Sequence, residues 1–465
     1  MQLSFHGAAQ TVTGSKHLIT LENGTNILLD CGLFQGLGSQ TEELNQDFGF
    51  NPSSISYVIL SHAHIDHCGL LPKLVAEGFN GPIFSTAPTM DLARILLLDS
   101  AKIQEQDAEY LNRHLEAHED LHYPLYTEND VINTINKFKI IEYNEVFHIN
   151  EDISFVFTDA GHILGSAAIH LSIIENGKET KISFSGDVGR YGDLLLKNPQ
   201  VFNQSDYIIL ESTYGDKLHK DTAPVEDSLY ELIRETCVIN KGKLIIPAFS
   251  VGRTQELLFA LNSLELKNKL PDLNYYVDSP LSAKATAILK NHPDVYNNGV
   301  KGIMRIDEDI FNFKGLRFIE NVEESKALNN EARPCVIISS SGMADSGRVK
   351  HHIKNTITNK KNTILIVGYA EPRSLAGRLV SGAKEVQIFK NTYFVQANIQ
   401  SLHSMSAHGD CDDLLQFLTN QDPKLVKKIF LVHGVPDVQN AFANNLEEKG
   451  FKDVIIPSLG ESFTL

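Results

Sequence analysis

A histidine-rich segment, Ser61 to Gly69 (SHAHIDHCG), contains four potential metal ligands within six residues: His62, His64, Asp66 and His67. The segment follows directly after an apolar, β-branched run. Alternate residues of a strand point to opposite faces, so these four side chains cannot share one strand face and instead fit a loop wrapped around metal. Neutral imidazole with carboxylate is the ligand set that zinc favours. The spacing suits two metal sites better than one.

Two further ligand candidates follow downstream, His162 in DAGHILGSA and Asp187 in FSGDVGR. Alone, His162 would more often be a loop or core histidine, and Asp187 a turn residue before Gly189. Each stands at the end of a strand-like run that comes after the SHAHIDH segment. That order favours both residues as metal ligands.

The elements that position these residues are short apolar runs that end in polar or acidic residues and glycine. The runs are Asn26–Asp30, Tyr57–His64, Ile153–His162, Ile182–Asp187, Tyr207–Glu211 and Ile429–His433. They have the length and composition of buried strands, and loops after strands can aim side chains into a shared cleft. Helical spacing occurs in Met90–Glu119, Thr254–Leu264 and Asp412–Leu418. Alternating strands and helices predict a layered α/β architecture.

The length of 465 residues favours two domains over one core. The segment from about Tyr214 to Gln396 has its own strand-like runs (KLIIPAF, CVIISSS, NTILIVGY) with helical patterns between them. Ligand-type residues occur on both sides of this segment. We therefore expect one domain to be inserted within the other.

Composition excludes several classes of protein. The net charge of −17 argues against broad electrostatic adhesion to nucleic acid or anionic lipid, although it allows a local basic groove. The five cysteines are scattered and never form a C-x-x-C pair, which argues against a disulfide framework or zinc ribbon. No apolar run approaches the roughly 18 to 20 residues that span a bilayer, and the start lacks a signal-peptide pattern. We expect a cytoplasmic protein without membrane partners.

Seven motifs in order carry a resemblance to a known family. Asp30, the SHAHIDH segment, His162 and Asp187 resemble the four ordered motifs of the metallo-β-lactamase superfamily. The continuation is similar to its β-CASP branch, which contains RNA 3′-end processing endonucleases and related bacterial and archaeal ribonucleases. The motifs of that branch read here as Glu211 in LESTYGD, His408 in MSAHGD and His433 in LVHGVPD.

The resemblance implies an α/β fold, a metallo-β-lactamase αββα sandwich with an inserted β-CASP α/β domain. Residues 1–210 and 397–465 would form the first domain, and residues 211–396 the β-CASP domain. The resemblance also implies two Zn²⁺ per chain. One would be held by His62, His64 and His162, the other by Asp66, His67 and His433, with Asp187 bridging. Asp30 would accept a hydrogen bond from a ligand imidazole and so fix the tautomer of that imidazole. The alternative is that Asp30 is only a turn residue at the end of a strand.

The implied reaction is hydrolysis of RNA phosphodiester bonds by a metal-activated hydroxide, as an endonuclease, a 5′-exonuclease or both. The catalytic residues would be Asp66, His408 as general acid and Glu211, which polarises His408. Single-stranded RNA would lie in the interdomain cleft. The small residues of a phosphate cradle would be Ser339, Ser340, Ser341 and Gly342. Arg253, Arg348 and Arg378 are candidate phosphate contacts, the alternative being surface arginines without a ligand.

Other functions compete with this one. A metallo-hydrolase of a small ester, lactone or thioester shares the SHAHIDH core, but it would not require Glu211 and His408. DNA processing uses the same fold, but its branch generally lacks the last histidine, so His433 favours RNA. A non-catalytic scaffold of RNA-processing complexes usually loses ligands, whereas this sequence keeps all seven. A homodimer is a possible assembly.

Overall fold

The computed structural model describes residues 1–115, 120–219, 224–368, 370–402 and 405–465. The chain divides into two compact units, Met1–Leu218 with His408–Leu465, and His219–Ala407. Both boundaries fall later in the chain than residues 210 and 396, where the sequence placed them. The long helix expected to reach Glu119 ends at Asn112, and residues 116–119 lie outside the described residues.

The first unit contains two seven-stranded sheets. The first sheet consists, in order across it, of β22 (Ser462–Thr464), β1 (Gln2–Phe5), β2 (His17–Thr20), β3 (Asn26–Leu29), β4 (Tyr57–Ile59), β5 (Ile83–Ser85) and β6 (Phe138–Ile140). Strands β22 to β3 pair antiparallel, and β3 to β6 pair in parallel. The carboxyl ends of β3 and β4 therefore meet at one edge of this sheet.

The second sheet brings distant segments of the chain side by side. It consists, in order, of β21 (Val454–Ile455), β20 (Lys428–Val432), β11 (Tyr207–Glu211), β10 (Lys178–Phe184), β9 (Ala167–Glu175), β8 (Ile153–Asp159) and β7 (Phe147–His148). Strands β7 to β10 are antiparallel, and β10, β11, β20 and β21 are parallel. All five residues of β11 are buried, as expected for an apolar run inside a parallel sheet covered on both faces.

The two sheets pack face to face around one core, which contains Leu3, Phe5 and Ile27 of the first sheet and Phe155 and Phe184 of the second. The outer face of the second sheet is covered by helices α13 (Cys411–Phe417) and α14 (Pro436–Glu448). The other helices of this unit are α1 (Gln40–Gln46), α2 (Ile65–Cys68), α3 (Leu71–Ala76), α4 (Ala87–Asn112) and α5 (Glu128–Ile135). The predicted αββα sandwich is thus confirmed.

The second unit is built on a six-stranded parallel sheet. Its order is β14 (Leu316–Phe318), β13 (Asn274–Asp278), β15 (Cys335–Ser339), β12 (Leu244–Pro247), β16 (Thr363–Val367) and β19 (Asn398–Leu402), with a separate hairpin of β17 (Glu385–Ile388) and β18 (Asn391–Phe394). Because β19 pairs with β16 along its whole length, the unit extends past residue 396.

Helices alternate with these strands, as in other parallel α/β sheets. They are α6 (Val225–Ile233), α7 (Arg253–Leu266), α8 (Pro280–Asn291), α9 (Asn298–Ile303), α10 (Val322–Asn329), α11 (Val349–Thr356) and α12 (Leu375–Val380). Short 3₁₀ segments occur at Pro52–Ser54 and Pro293–Val295, and a π-helical turn at Arg234–Ile239. Within the described ranges, no helix combines the length and apolarity needed to span a bilayer.

Candidate metal centre

The predicted ligands stand where strands of the first unit end. His62 follows β4, His162 follows β8, Asp187 follows β10 and His433 follows β20. Residues just past a strand are released from its alternating pattern, so their side chains can turn towards one point. His433 has a left-handed backbone, with φ of 51°, which a non-glycine residue adopts only when its surroundings hold it there.

The SHAHIDH segment differs from the loop expected from the sequence. His62 precedes α2 and His64 is its N-cap, whereas Asp66 and His67 lie on that single helical turn. Successive residues of a helix point about 100° apart, so the predicted ligands of this short segment point in different directions. The backbone after β3 holds this turn in place, because Cys31 N donates to His67 O at 2.7 Å.

The first group of side chains contains three imidazoles and a carboxylate. His64 Nδ1 lies 3.1 Å from His62 Nε2 and 3.1 Å from His162 Nε2. Asp187 Oδ2 lies 3.5 Å from each of the same two Nε2 atoms. His64 Nδ1 carries one proton or one lone pair, so it cannot satisfy both neighbouring nitrogens by hydrogen bonds. Hydrogen bonding alone therefore does not explain this arrangement.

A metal ion does explain it. Around a tetrahedral ion with metal–nitrogen bonds of about 2.0 Å, neighbouring donor atoms lie about 3.3 Å apart. The separations within the group of His62, His64, His162 and Asp187, between 3.1 and 3.5 Å, bracket that value. The donor set fits a divalent metal ion at this position.

A second group lies beside the first. His433 Nε2 is 3.4 Å from Asp66 Oδ2, and His67 Nε2 is 3.3 Å from Asp187 Oδ1. Among the described residues, His67 Nε2 and Asp187 Oδ1 are both buried and lack a hydrogen-bond partner. Two buried polar atoms without a partner are costly unless another species binds them. Asp66, His67 and His433 together offer ligand atoms close enough for one ion.

Asp187 connects the two groups. Its Oδ2 atom faces His62 and His162, and its Oδ1 atom faces His67 and His433, the latter at 3.5 Å from Nδ1. Only 2% of its surface is exposed. One carboxylate oxygen is thus directed at each group, which is the geometry of a bridging ligand.

Burial and charge set the protonation of these groups. Burial lowers the pKa of His62 to about 3 and that of His64 to about 4, so both imidazoles are neutral. Burial raises the pKa of Asp187, but the neighbouring histidines outweigh it and hold that pKa well below its usual range. Neutral imidazole and ionised carboxylate are the forms that bind metal.

His67 is the exception. Burial lowers its pKa, but the carboxylates of Asp187 and Asp30 outweigh burial and raise the pKa well above 6.5. The two carboxylates thus favour a positive charge at this position. A bound cation supplies that charge in place of the proton.

A carboxylate and a histidine lie next to the two groups. His408 Nδ1 is 3.2 Å from both Oε1 and Oε2 of Glu211, and 4.0 Å from Asp187 Oδ2. Glu211 is fully buried and also accepts a hydrogen bond from Val188 N at 2.6 Å. Burial lowers the pKa of His408, but Glu211 and Asp187 raise it to about 9. The imidazole is therefore protonated at neutral pH and can donate a proton.

Comparison with known proteins agrees with this geometry. The family models that match describe the "Metallo-beta-lactamase superfamily" over residues 14–225, a "Beta-Casp domain" over 254–379 and a "Zn-dependent metallo-hydrolase RNA specificity domain" over 392–457. "Ribonuclease TTHA0252" of Thermus thermophilus is 31% identical over 461 residues, which cover 99% of each chain. The chain belongs to the β-CASP branch of the metallo-β-lactamase superfamily.

Archaeal relatives extend the comparison. An "RNase J-like protein" of Methanocaldococcus jannaschii is 33% identical over 435 residues, covering 93% of this chain and 92% of that protein. A "Transcription termination factor FttA" of Methanosarcina mazei is 30% identical over 421 residues, covering 88% of this chain and 63% of that longer protein. The resemblance to the β-CASP family inferred from the motifs is confirmed.

Within this β-CASP chain, the predicted phosphate cradle belongs to the second unit. Ser339 is buried and its hydroxyl donates to Asp278 O at 2.8 Å. Ser340 Oγ bonds to Ser279 Oγ at 3.0 Å, and Ser346 Oγ lies 3.5 Å from Ser341 Oγ. Gly342 packs on Phe249, where an added Cβ would lie 2.9 Å from the ring. A substrate role for residues 339–342 stays a prediction.

The three arginines predicted to contact phosphate differ in the hydrogen bonds and ion pairs that they form within the second unit. Arg253 is buried, forms an ion pair with Glu256 and donates to Met405 O at 2.6 Å. Arg348 donates to Asp278 Oδ1 at 2.7 Å. The Nε atom of Arg378 is buried without a hydrogen-bond partner among the described residues. Arg378 is thus the better phosphate candidate of the three, and this role also stays a prediction.

The sequence predicts Asp30 beside a ligand imidazole, and Asp30 Oδ2 lies 2.7 Å from Nδ1 of His67, a predicted ligand. Two hydroxyl groups that contact other predicted ligands were not predicted. Ser61 Oγ lies 3.0 Å from His62 Nδ1, and Thr213 Oγ1 lies 3.0 Å from His433 Nδ1. The sequence contained one weak signal for Ser61, because this residue directly precedes the predicted ligand His62. Adjacency in sequence does not give the direction of a hydroxyl group.

Proposed function

We propose that this chain is a zinc-dependent ribonuclease that hydrolyses RNA phosphodiester bonds. The observation that carries the proposal is the pair of ligand groups joined by Asp187, with the Glu211–His408 pair at hydrogen-bonding distance beside them. The family model named for RNA specificity and the relatives named as ribonucleases support RNA as the substrate. His433 adds support, because DNA-directed relatives generally lack it.

Two zinc ions per chain suit these donors. His62, His64 and His162 would hold one ion, Asp66, His67 and His433 would hold the other, and Asp187 would contact both. Imidazole and carboxylate are typical zinc ligands, and the donor spacing matches tetrahedral coordination. When bound, the ions supply Lewis acidity, which lowers the pKa of water and neutralises charge on a phosphoryl oxygen.

His408 would deliver the proton that the leaving oxygen needs when the phosphodiester bond breaks. Its raised pKa keeps the imidazole protonated at neutral pH, and Glu211 holds the ring through Nδ1. The Nε2 atom is then the one that can donate towards the substrate. General acid catalysis of this kind contributes about 10² to 10⁴ in rate.

The test compares the parent chain with His408→Ala on end-labelled RNA and on DNA of matched sequence. We expect the parent to cut RNA, and His408→Ala to keep its full metal content by mass spectrometry while cleavage slows by about 10² to 10⁴. His148→Ala is the matched control, because His148 is exposed on β7. Equal turnover by His408→Ala at full metal content would contradict the role of His408.

The same assay separates the remaining alternatives. Product lengths distinguish endonucleolytic from 5′-exonucleolytic cleavage. A parent chain with two zinc ions that cuts neither RNA nor DNA would favour a small ester or thioester substrate, whereas a chain without metal would favour a scaffold. A cytoplasmic location and a homodimer stay predictions, the latter to be measured by light scattering.

A further inference from the structure

Asp30 is a fully buried carboxylate that follows β3. Its Oδ1 accepts from Ser61 N at 2.8 Å. Its Oδ2 lies 2.7 Å from His67 Nδ1, 2.8 Å from Ser61 Oγ and 3.3 Å from Ser15 Oγ. A carboxylate can only accept hydrogen bonds, so His67 must carry its proton on Nδ1. In the neutral form of His67, which metal binding requires, the lone pair then lies on Nε2, the atom that faces Asp187 Oδ1.

The Ser61 hydroxyl has a single hydrogen and two close neighbours. It lies 2.8 Å from Asp30 Oδ2 and 3.0 Å from His62 Nδ1. A bond from the hydroxyl to the carboxylate is charge-assisted and therefore preferred. The hydroxyl oxygen must then accept from His62 Nδ1–H. This leaves the lone pair of His62 on Nε2, the atom that lies 3.1 Å from His64 Nδ1.

We propose that Ser61 is a positioning residue through which Asp30 fixes the tautomer of a second metal ligand. Asp30 acts directly on His67 in one ligand group and, through the Ser61 hydroxyl, on His62 in the other. A single buried carboxylate thus prepares both groups for metal. The inference rests on the proposed metal centre and adds to it a coupling between its two halves.

Two substitutions separate this relay from a simple packing role. Ser61→Ala removes the hydroxyl but keeps the bond from residue 61 N to Asp30 Oδ1, so His67 is unaffected. In Asp30→Asn, the amide oxygen would keep the bond from Ser61 N, which turns the NH₂ group towards His67 and the Ser61 hydroxyl. Both ligand imidazoles would then favour a proton on Nε2, where metal must bind.

Ser15 provides a matched control. Its hydroxyl bonds to the same carboxylate oxygen as that of Ser61, at 3.3 Å, and its other side-chain neighbour is His17 rather than a ligand. Ser15→Ala therefore removes a buried hydroxyl from Asp30 without touching either ligand group.

The experiment measures zinc dissociation constants of the full chain by chelator competition, with occupancy of each group read from anomalous scattering at graded free zinc. For Ser61→Ala we expect binding about 10- to 100-fold weaker at the group of His62, with the group of His67 unchanged. Asp30→Asn should weaken both groups, and Ser15→Ala neither. Ring NMR of the metal-free chain should show that the Nδ1–H population of His62 falls in Ser61→Ala.

Parental affinity at both groups in Ser61→Ala, or equal weakening at both, would overturn the relay. If that variant does not fold, Asp30→Asn decides alone, because weakening confined to the group of His67 contradicts a path through Ser61. A parent chain that binds no zinc would overturn the proposed function together with this inference. If the parent binds two zinc ions and the three variants have the same zinc affinities, only the relay is overturned.

Discussion

Glu211→Gln tests the electrostatics of the Glu211–His408 pair. The glutamine carbonyl oxygen can keep the bond from Val188 N, which Glu211 accepts at 2.6 Å, so the local backbone should survive. The charge next to His408 Nδ1 is lost. Burial is then opposed only by the more weakly acting carboxylates of Asp187 and Asp66, and we expect the pKa of His408 to fall from about 9 towards its ordinary value of 6.5.

The magnitude follows from the protonated fraction of His408. With a pKa of about 9, roughly nine tenths of the imidazole is protonated at about pH 8, whereas with a pKa near 6.5 the fraction is about 0.03. If His408 donates the proton, kcat/KM for RNA should fall about 30-fold at about pH 8. At about pH 6 both enzymes are largely protonated, so the difference should nearly vanish.

The assay is the pH profile of kcat/KM on end-labelled RNA, because its alkaline limb reports the acid of the free enzyme. Bound metal affects the parent and the variant equally, so the shift of the alkaline limb between them measures the effect of the Glu211 carboxylate. Glu179→Gln, an exposed glutamate on β10, is the control for the loss of one negative charge. An alkaline limb in the same place for Glu211→Gln and the parent would refute the reasoning.

Two further predictions concern metal binding and stability. His433→Ala should bind zinc normally at the group of His62 but weakly at the group of Asp66. RNA cleavage should be lost, while the circular dichroism spectrum should stay unchanged because the fold survives. Tight binding of two zinc ions by this variant would contradict the prediction. Lys16 is fully buried with its Nζ 3.1 Å from Gly32 O, and burial lowers its pKa from 10.5 to about 8. The folded chain binds fewer protons than the unfolded chain between those values, so stability rises with pH there. Between these two pH values, the free energy of unfolding of the parent, measured in urea, should rise by about 3 kcal/mol relative to that of Lys16→Met. If the free energies of unfolding of the two proteins change in parallel with pH, the prediction is contradicted.

The sequence predicts most where a local pattern carries the information. An apolar run that ends in a polar residue marks both a buried strand and the place where its side chains are released, so His162 and Asp187 could be predicted as ligand candidates. The extent of the inserted unit was harder to predict. It depends on β19 pairing with β16, a contact between separate segments that no local pattern encodes.

Side-chain partners were the least predictable feature. The prediction of Arg253 as a phosphate contact did not include its ion pair with Glu256, although the two residues stand at a helical spacing that the sequence contains. The Ser61 and Thr213 hydroxyls depend on rotamers that only the packed site selects. Predicting residue types near a site is therefore easier than predicting which atom faces which.

The pairing of β11 with β20 constrains how the chain can be assembled. The Ser212 hydroxyl donates to Val432 O across 220 residues of sequence, so the first unit cannot close this sheet until the whole second unit has been synthesised. At roughly 5 to 20 residues per second, the edge of β11 waits about 10 to 40 s on a ribosome. An unpaired apolar edge is prone to aggregation during that interval. Early folding of the second unit would shorten the loop that must close, and the last predicted ligand, His433, arrives only once β20 pairs with β11.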